Sequence, residues 1–231
     1  MQRIPPVSEA TRRLLTERYC PSQLVENILE SDTNRDCLIR PYQGRRRVQS
    51  ASAPSRFKAF SLRNYLLHLD QMEEIGIAEQ DILAYARTMA ETLALLHWVA
   101  QTDGNDVEFV LASPNDGRDG RTESEGIWSN VLGTHEMGML DFDLARSMSM
   151  DEQGVRQAAN AFRGNDPYFP KPDEQSSLWN AFREEYLAMS ERYILAIGHA
   201  IEQLKALPGS FIRLVEEMAC PGGSPQAQDS H

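Results

Sequence analysis

The sequence predicts an α+β fold that is mostly α. Ile82, Tyr85, Ala86, Met89, Ala90, Leu93, Leu96 and Ala100 recur at helical spacing, which predicts a long amphipathic helix over 79–100. A second long helix is expected over 175–206, with Leu178, Phe182, Tyr186, Tyr193, Ile194 and Ile197 among its apolar positions. Between the two, Glu108 to Ala112 and Met137 to Phe142 are short apolar runs bounded by turn residues, and these read as strands.

The remaining elements follow in order. Ser8 opens a helix that runs to about Arg18, and Pro21-Ser22 opens another through about Leu29. Cys37 to Arg40 and Phe57 to Leu62 are strand candidates, separated by a basic, Ser/Ala-rich loop over 44–56. Residues 65–75 read as a helix ending at Gly76, and 113–126 as a polar loop. Ser149 and Glu152 have capping-box spacing, so a helix is expected from there to about Phe162. Gly164-Asn165-Asp166-Pro167 ends it, and Pro170 and Pro172 keep the chain extended. Pro208-Gly209-Ser210 breaks the long helix before a last one to about Ala219. Residues 1–219 are expected to form one domain, and 220–231, rich in Gly, Pro, Ser and Gln, a disordered tail.

Lys plus Arg number 23 and Asp plus Glu 34, a net charge of −11, which argues against bulk binding to nucleic acid and against a DNA partner. Arg45-Arg46-Arg47, with Arg40 nearby, is a local exception that reads either as a solvated loop or as a phosphate contact. No apolar run reaches the ~18–20 residues of a membrane span, and Met1 to Pro6 lacks the apolar core of a secretory signal, so a cytoplasmic protein is expected. Cys20, Cys37 and Cys220 are widely separated, and the five histidines stand apart from them and from each other. A structural zinc site needs about four converging ligands, so no metal site is predicted.

Three segments concentrate polar residues beside strands: Asp103 to Glu108, Asp141-Phe142-Asp143, and Gly164 to Tyr168. A long helix, an acidic loop, a strand and then a strand ending in Asp-Phe-Asp is the order of the kinase C-terminal lobe. Met139 to Arg146 resembles the metal-binding turn of aminoglycoside-phosphotransferase-like kinases, and Leu96-His97-Trp98 resembles the end of the helix before their catalytic loop. Departures are decisive against phosphoryl transfer. Phe109 stands where the metal-ligand Asn belongs, Thr102 where the His belongs, and no glycine-rich phosphate loop or strand Lys lies upstream. The expected fold is therefore a protein-kinase or aminoglycoside-phosphotransferase C-lobe lacking the N-lobe.

Several blocks in one order resemble a single family: Arg3 to Pro6, Arg18 to Pro21, Ser61 to Tyr65, His68 to Met72, Asn105 to Leu111 and Asp166 to Pro170. It is a family of filamentous fungi carrying a domain of unknown function, often labelled zinc finger proteins. The resemblance spans roughly residues 3 to 190. It implies an arginine-containing cyclodipeptide synthase of secondary metabolism, which joins arginine from arginyl-tRNA to a residue from a second aminoacyl-tRNA. Such an enzyme needs no cofactor, because the tRNA ester is already activated. The family's essential Asp, Asp and Glu map here to Asp103, Asp106 and Glu108. The alternative is a catalytically dead, pseudokinase-like binding module.

Read from the residues themselves, Asp106 and Glu108 lie two apart and share one side of an extended backbone, as do Asp141 and Asp143 on a neighbouring strand. Four carboxylates facing one cleft repel one another unless a cation sits among them. That cation is either a metal or a substrate. A guanidinium fits paired carboxylates bidentately, so for the arginine- and tRNA-using enzyme that the resemblance implies, Asp141 and Asp143 are substrate-binding candidates, and Arg45, Arg46 and Arg47 are candidates for tRNA phosphates. A carboxylate of the acidic motif is the candidate base for the attacking amine. Cys20, Cys37 and Ser113 are nucleophiles by type without an evident partner base, and His97, Trp98, Trp128 and Trp179 are expected in the core.

Overall fold

The computed structural model describes residues 4–47, 60–114, 126–165, 167–172, 177–197 and 204–219. Within them the chain is α+β and mostly helical. It opens with α1 (Glu9–Tyr19), capped by Ser8, whose Oγ accepts from the Thr11 amide at 3.1 Å. A 3₁₀ turn (Ser22–Leu24) leads into α2 (Val25–Glu30) and α3 (Asp32–Arg35). Next come β1 (Ile39–Tyr42), β2 (Tyr65–His68), α4 (Leu69–Glu74) and the long α5 (Glu79–Trp98). They are followed by β3 (Glu108–Ala112), β4 (Ile127–Asn130), β5 (Gly133–Leu140), α6 (Glu152–Gly164), α7 (Ser177–Ile197) and α8 (Leu207–Ala219).

The strands make one mixed sheet in the order β2-β1-β3-β5-β4. β1 and β2 are parallel, from Ile39 beside Tyr65 to Tyr42 beside His68, and the other pairings are antiparallel. Tyr65 to His68 is thus a strand, not the start of the expected helix over 65–75. Its Tyr65 and Leu67 are buried while Leu66 is exposed, a period of two that only pairing with β1 distinguishes from a helical turn. The first strand falls at 39–42, two residues later than expected. Phe60 to Leu62 is not strand. Leu62 instead enters the core and its amide donates to Asn34 Oδ1 at 2.8 Å. Phe57 to Lys58 and Ala59 lie outside the described residues, as do 48–56, 115–125, 198–203 and the expected tail at 220–231.

Sequence analysis missed β4. It joins β5 through the two-residue turn Val131-Leu132, closed by Gly133 at φ +73°. β5 ends at Leu140, so Asp141, at φ +61°, is a turn residue and not part of a strand. The cap of α6 also differs: Asp151, not Ser149, receives the Gln153 and Gly154 amides, at 2.9 and 3.0 Å, while Ser149 Oγ donates to it.

α5 lies along α7 and places its last turn in the core. His97 Nδ1 is 2.8 Å from the Tyr186 hydroxyl, and Trp98 Nε1 donates to Ser190 Oγ at 2.7 Å. Phe162, Phe169, Trp179, Phe182 and Phe211 extend this into an aromatic cluster shared by α6, the 167–172 segment, α7 and α8. Each such side chain contributes roughly 1.5–3 kcal/mol by burial. Cys20 and Cys37 are free and buried, and burial pushes the Cys37 thiol up to about 12. Among the described residues, no helix is long and apolar enough to cross a membrane.

Candidate functional site

The three polar segments singled out in the sequence meet at one place, where the 99–107 loop enters β3. Asn165, at the C-terminal end of α6, holds the loop with both ends of its amide: Nδ2 donates to the Gly104 carbonyl at 2.8 Å, and Oδ1 accepts from the Asp106 amide at 2.6 Å. Asn105 Nδ2 reaches the Leu144 carbonyl at 3.3 Å. Gly104 and Asp106 both adopt positive φ, +62° and +63°. Such a tight turn is tolerated by Gly and Asp better than by other types.

Asp103 is buried, at 4% exposure, and serves this turn. Its carboxylate accepts from the Asn105 amide (3.1 Å), the Arg146 amide (2.9 Å) and Gln157 Nε2 (2.8 Å). It is a positioning group for the 103–106 turn and the 141–147 turn together.

Asp106 is exposed, but at φ +63° it is not extended, so the expected alignment of Asp106 with Glu108 along a strand does not hold. The two carboxylates are near enough for Asp106 to raise the Glu108 pKa, as does Asp141. The register explains this: Glu108 pairs with Leu140, and Asp141 is the next residue. Asp143 lies exposed in the following turn. Asp106, Glu108 and Asp141 thus come together by turn geometry and cross-strand register, and the expectation of two carboxylate pairs on two extended strands is corrected.

The cation among them is the chain's own. Arg40 Nη2 donates to Glu108 Oε2 from β1. Arg40 and Tyr42 share a face of β1, and Tyr42 meets Tyr168 edge to face at 5.0 Å. The Tyr168 hydroxyl is buried beside that of Tyr42 without a well-aligned hydrogen bond, and Arg40 Nε is buried without a partner. Burial, then Asp141 and Asp106, push the Glu108 carboxyl above its ordinary value against the opposing pull of Arg40. Burial likewise pushes the Tyr42 and Tyr168 hydroxyls up.

Tyr168 reaches this position because Gly44 has no side chain. The Gln43 and Gly44 amides donate to the Tyr168 and Pro167 carbonyls at 3.1 and 2.9 Å, and a Cβ on Gly44 would stand 2.2 Å from the Phe169 oxygen. Sequence analysis counted Arg40 only as a neighbour of the basic run, named Asn165 only within the polar segment 164–168, and missed Tyr42. The signal was the alternation Ile39, Arg40, Pro41, Tyr42, with the two polar-tipped residues on one face.

Arg45, Arg46 and Arg47 leave the end of β1 and run against α4. Arg46 pairs bidentately with Glu73, both contacts at 2.7 Å. Arg47 pairs with Asp70 at 2.6 Å and Glu74 at 2.6 Å, and stacks over Tyr19 at 5.3 Å. The Arg45 side chain is exposed. The Arg46 and Arg47 charges are therefore committed to acids of the same chain.

Two cavities lie elsewhere. One, of about 290 Å³, lies between α6, residues 169–172 and α8, walled by Phe162, Phe169 and Met218. The other, of about 360 Å³, lies between α4, α5 and the start of α7, beside the Arg46–Glu73 pair. Neither is lined by Asp103, Asp106, Glu108, Asp141 or Asp143.

Among the described residues, no group of three or more His, Cys, Asp and Glu side chains is arranged to hold a metal ion. A family model for a domain of unknown function, described as zinc finger protein, matches residues 137–196. That segment holds neither cysteine nor histidine, so it offers none of the ligands a zinc finger uses. Comparison with curated proteins and with solved structures gave no match. The matched segment carries Asp141, Asn165 and Tyr168 into the site, while Arg40 and the 103–108 turn come from outside it.

Proposed function

We propose that this chain is an aminoacyl-tRNA-dependent cyclodipeptide synthase that uses arginine, built on a kinase C-lobe-like scaffold without phosphoryl-transfer machinery. The observation that carries the reading is the convergence of Asp106, Glu108 and Asp141 beside a loop held by Asp103 and Asn165. The resemblance of the 105–111 and 166–170 blocks to the fungal synthases supports it, since Phe109 of the first block meets the rings of Tyr168 and Phe169 of the second.

The reaction takes two aminoacyl-tRNAs. The free α-amine of one attacks the ester carbonyl of the other, losing a proton, and a tRNA 3′-oxygen leaves with a proton. The new dipeptidyl-tRNA then cyclises when its own α-amine attacks the remaining ester, releasing the second tRNA. Each step needs a base for an ammonium proton and stabilisation of a developing oxyanion. Asp106, exposed at the tip of its turn, is the base in this reading, and Asp141 and Asp143 receive the arginyl guanidinium. Arg45, Arg46 and Arg47 are the candidates for tRNA phosphate, at the cost of exchanging Glu73, Asp70 and Glu74 for phosphate oxygens.

A second reading, a non-catalytic binding module, is favoured by one observation: Arg40 already neutralises Glu108. Expression in a heterologous host, with extracts searched by mass for cyclo-arginine dipeptides, separates the two. The synthase reading expects an arginine-containing diketopiperazine that disappears with Asp106→Asn. A well-folded protein that yields none overturns it.

A further inference from the structure

Arg40 and Glu108 lie 68 positions apart in the chain, and their side chains are each about one-fifth exposed, at 22% and 21%. Charged and titratable groups from four parts of the chain bear on Glu108. Arg40 comes from β1, Asp106 from the preceding turn and Asp141 from the turn after β5, while the hydroxyls of Tyr42 and Tyr168 lie on β1 and after α6. A carboxylate that is partly desolvated and flanked by two others takes up a proton unless a cation is held against it. Arginine suits that task, because its charge is permanent and its planar fork fixes the partner's orientation.

We infer that Arg40 is a positioning residue of the site, whose guanidinium holds Glu108 charged and fixed so that Glu108 acts as a standing negative charge and not as the proton acceptor. The inference rests on the synthase reading only for the reaction in which that charge is used. It assigns the two nearby acids different tasks. Glu108 is tied from behind by Arg40 and keeps its charge through turnover. Asp106, exposed and held only through its backbone amide, is the carboxylate left to exchange protons.

Arg40→Ala leaves a gap sized for a free guanidinium ion next to Glu108, so the test uses guanidinium chloride at low millimolar concentration, with sodium chloride as the control. A saturable rise in melting temperature is expected in Arg40→Ala, and neither in the wild type nor in Arg40→Ala/Glu108→Gln. Arg40→Ala should also lose at least about tenfold in cyclodipeptide formation. The acidic limb of its pH–rate profile should move to higher pH by about one unit or more, and guanidinium should bring it back. Where Arg40→Ala is too unstable to assay, Arg40→Lys keeps the charge without the fork. It should fold with its acidic limb near that of the wild type and a lowered rate.

Product loss that only follows the folded fraction, with an unmoved pH limb, overturns the inference. So does a guanidinium response that survives Glu108→Gln. If the wild type makes no cyclodipeptide, the synthase reading fails alone, and the guanidinium-dependent melting of Arg40→Ala still decides whether Arg40 fixes Glu108.

Discussion

Asp103 and Arg146 hold each other twice: the Asp103 amide donates to the Arg146 carbonyl at 2.9 Å, and the Arg146 amide donates to Asp103 Oδ1 at 2.9 Å. This reciprocal clamp joins the loop before β3 to the loop after β5, and Gln157 on α6 completes it. The acidic site therefore depends on a buried carboxylate that does not itself face solvent.

Asp103→Ala strands the Asn105 and Arg146 amides and leaves Gln157 Nε2 with the Ser147 carbonyl alone. An unmet buried donor costs about 1–3 kcal/mol, with water offsetting part of this at the outer groups. The expected loss is about 2–4 kcal/mol by urea denaturation, with activity following the folded fraction. A loss below about 1 kcal/mol would show that the clamp is not structural.

His97 is fully buried between α5 and α7, and burial lowers its pKa from 6.5 to about 3 despite the opposing influence of the Asp103 backbone and carboxylate. The unfolded chain thus binds a proton that the folded chain refuses between pH about 6.5 and about 3. Stability present above 6.5 is lost as pH falls through that window, by up to about 1.4 kcal/mol per unit. Buried His135, whose Nε2 lies 2.6 Å from the Tyr85 hydroxyl and whose pKa is also lowered by burial, adds to the same trend. Melting temperature measured from pH 7 to pH 4 should fall, and less steeply in His97→Gln. An identical slope in the variant would remove His97 as the cause.

Much of the helical frame was legible in the sequence, because α5 and α7 carry apolar spacing over five turns or more. β2 and β4 were not: each has only four residues, and their strand character comes from partners, β1 and β5, that no local pattern names. The three polar segments were legible as chemistry. Their internal geometry was not, since the positive φ of Asp106 and Asp141 is set by turns closed through Asn165 and Asp103. Arg40 escaped notice for the same reason, because its pairing with Glu108 depends on how β1 sits against β3. The core placement of His97, Trp98 and Trp179 follows from their helical positions and agrees with expectation, whereas Trp128, on the edge strand β4, is only partly buried against the core.

Gly44→Ala tests how Tyr168 is brought to Tyr42. The added methyl meets backbone oxygens of Phe169 and Pro167, which cannot rotate away. Overpacking of this kind costs about 1–3 kcal/mol. The variant should melt lower, and the Gln43, Gly44 and Tyr168 amides should exchange faster with solvent. Wild-type melting and exchange would mean that this segment is not held by close backbone approach.

Arg46→Ala and Arg47→Ala remove exposed ion pairs, so each should change stability by no more than about 1 kcal/mol. Their effect on tRNA is separate. If these side chains leave Glu73, Asp70 and Glu74 to contact phosphate, the double variant should bind tRNA more weakly, with a salt slope reduced by up to about 1.8. Unchanged affinity and slope in a filter-binding titration would leave both arginines as tethers of the chain to α4.

Asp106→Asn and Glu108→Gln separate catalysis from structure. Both replacements keep shape and remove charge. Folding raises the Glu108 pKa, so its ionised form costs stability that is absent below the ordinary carboxylate range and grows as pH rises through the folded value. Glu108→Gln removes that cost while its amide oxygen still accepts from Arg40, so melting at neutral pH should hold or rise. Asp106 is exposed and its structural tie to Asn165 is through the backbone, so Asp106→Asn should also melt like the wild type. A group used in the rate-limiting transition state is worth at least about 10²-fold in rate. Cyclodipeptide yield should therefore collapse in Asp106→Asn while the protein stays folded. In Glu108→Gln it should fall without the lost melting that a purely structural acid would show. Lowered melting with activity that follows the folded fraction would make the pair structural, and full activity in both variants would take the acidic turn out of the reaction.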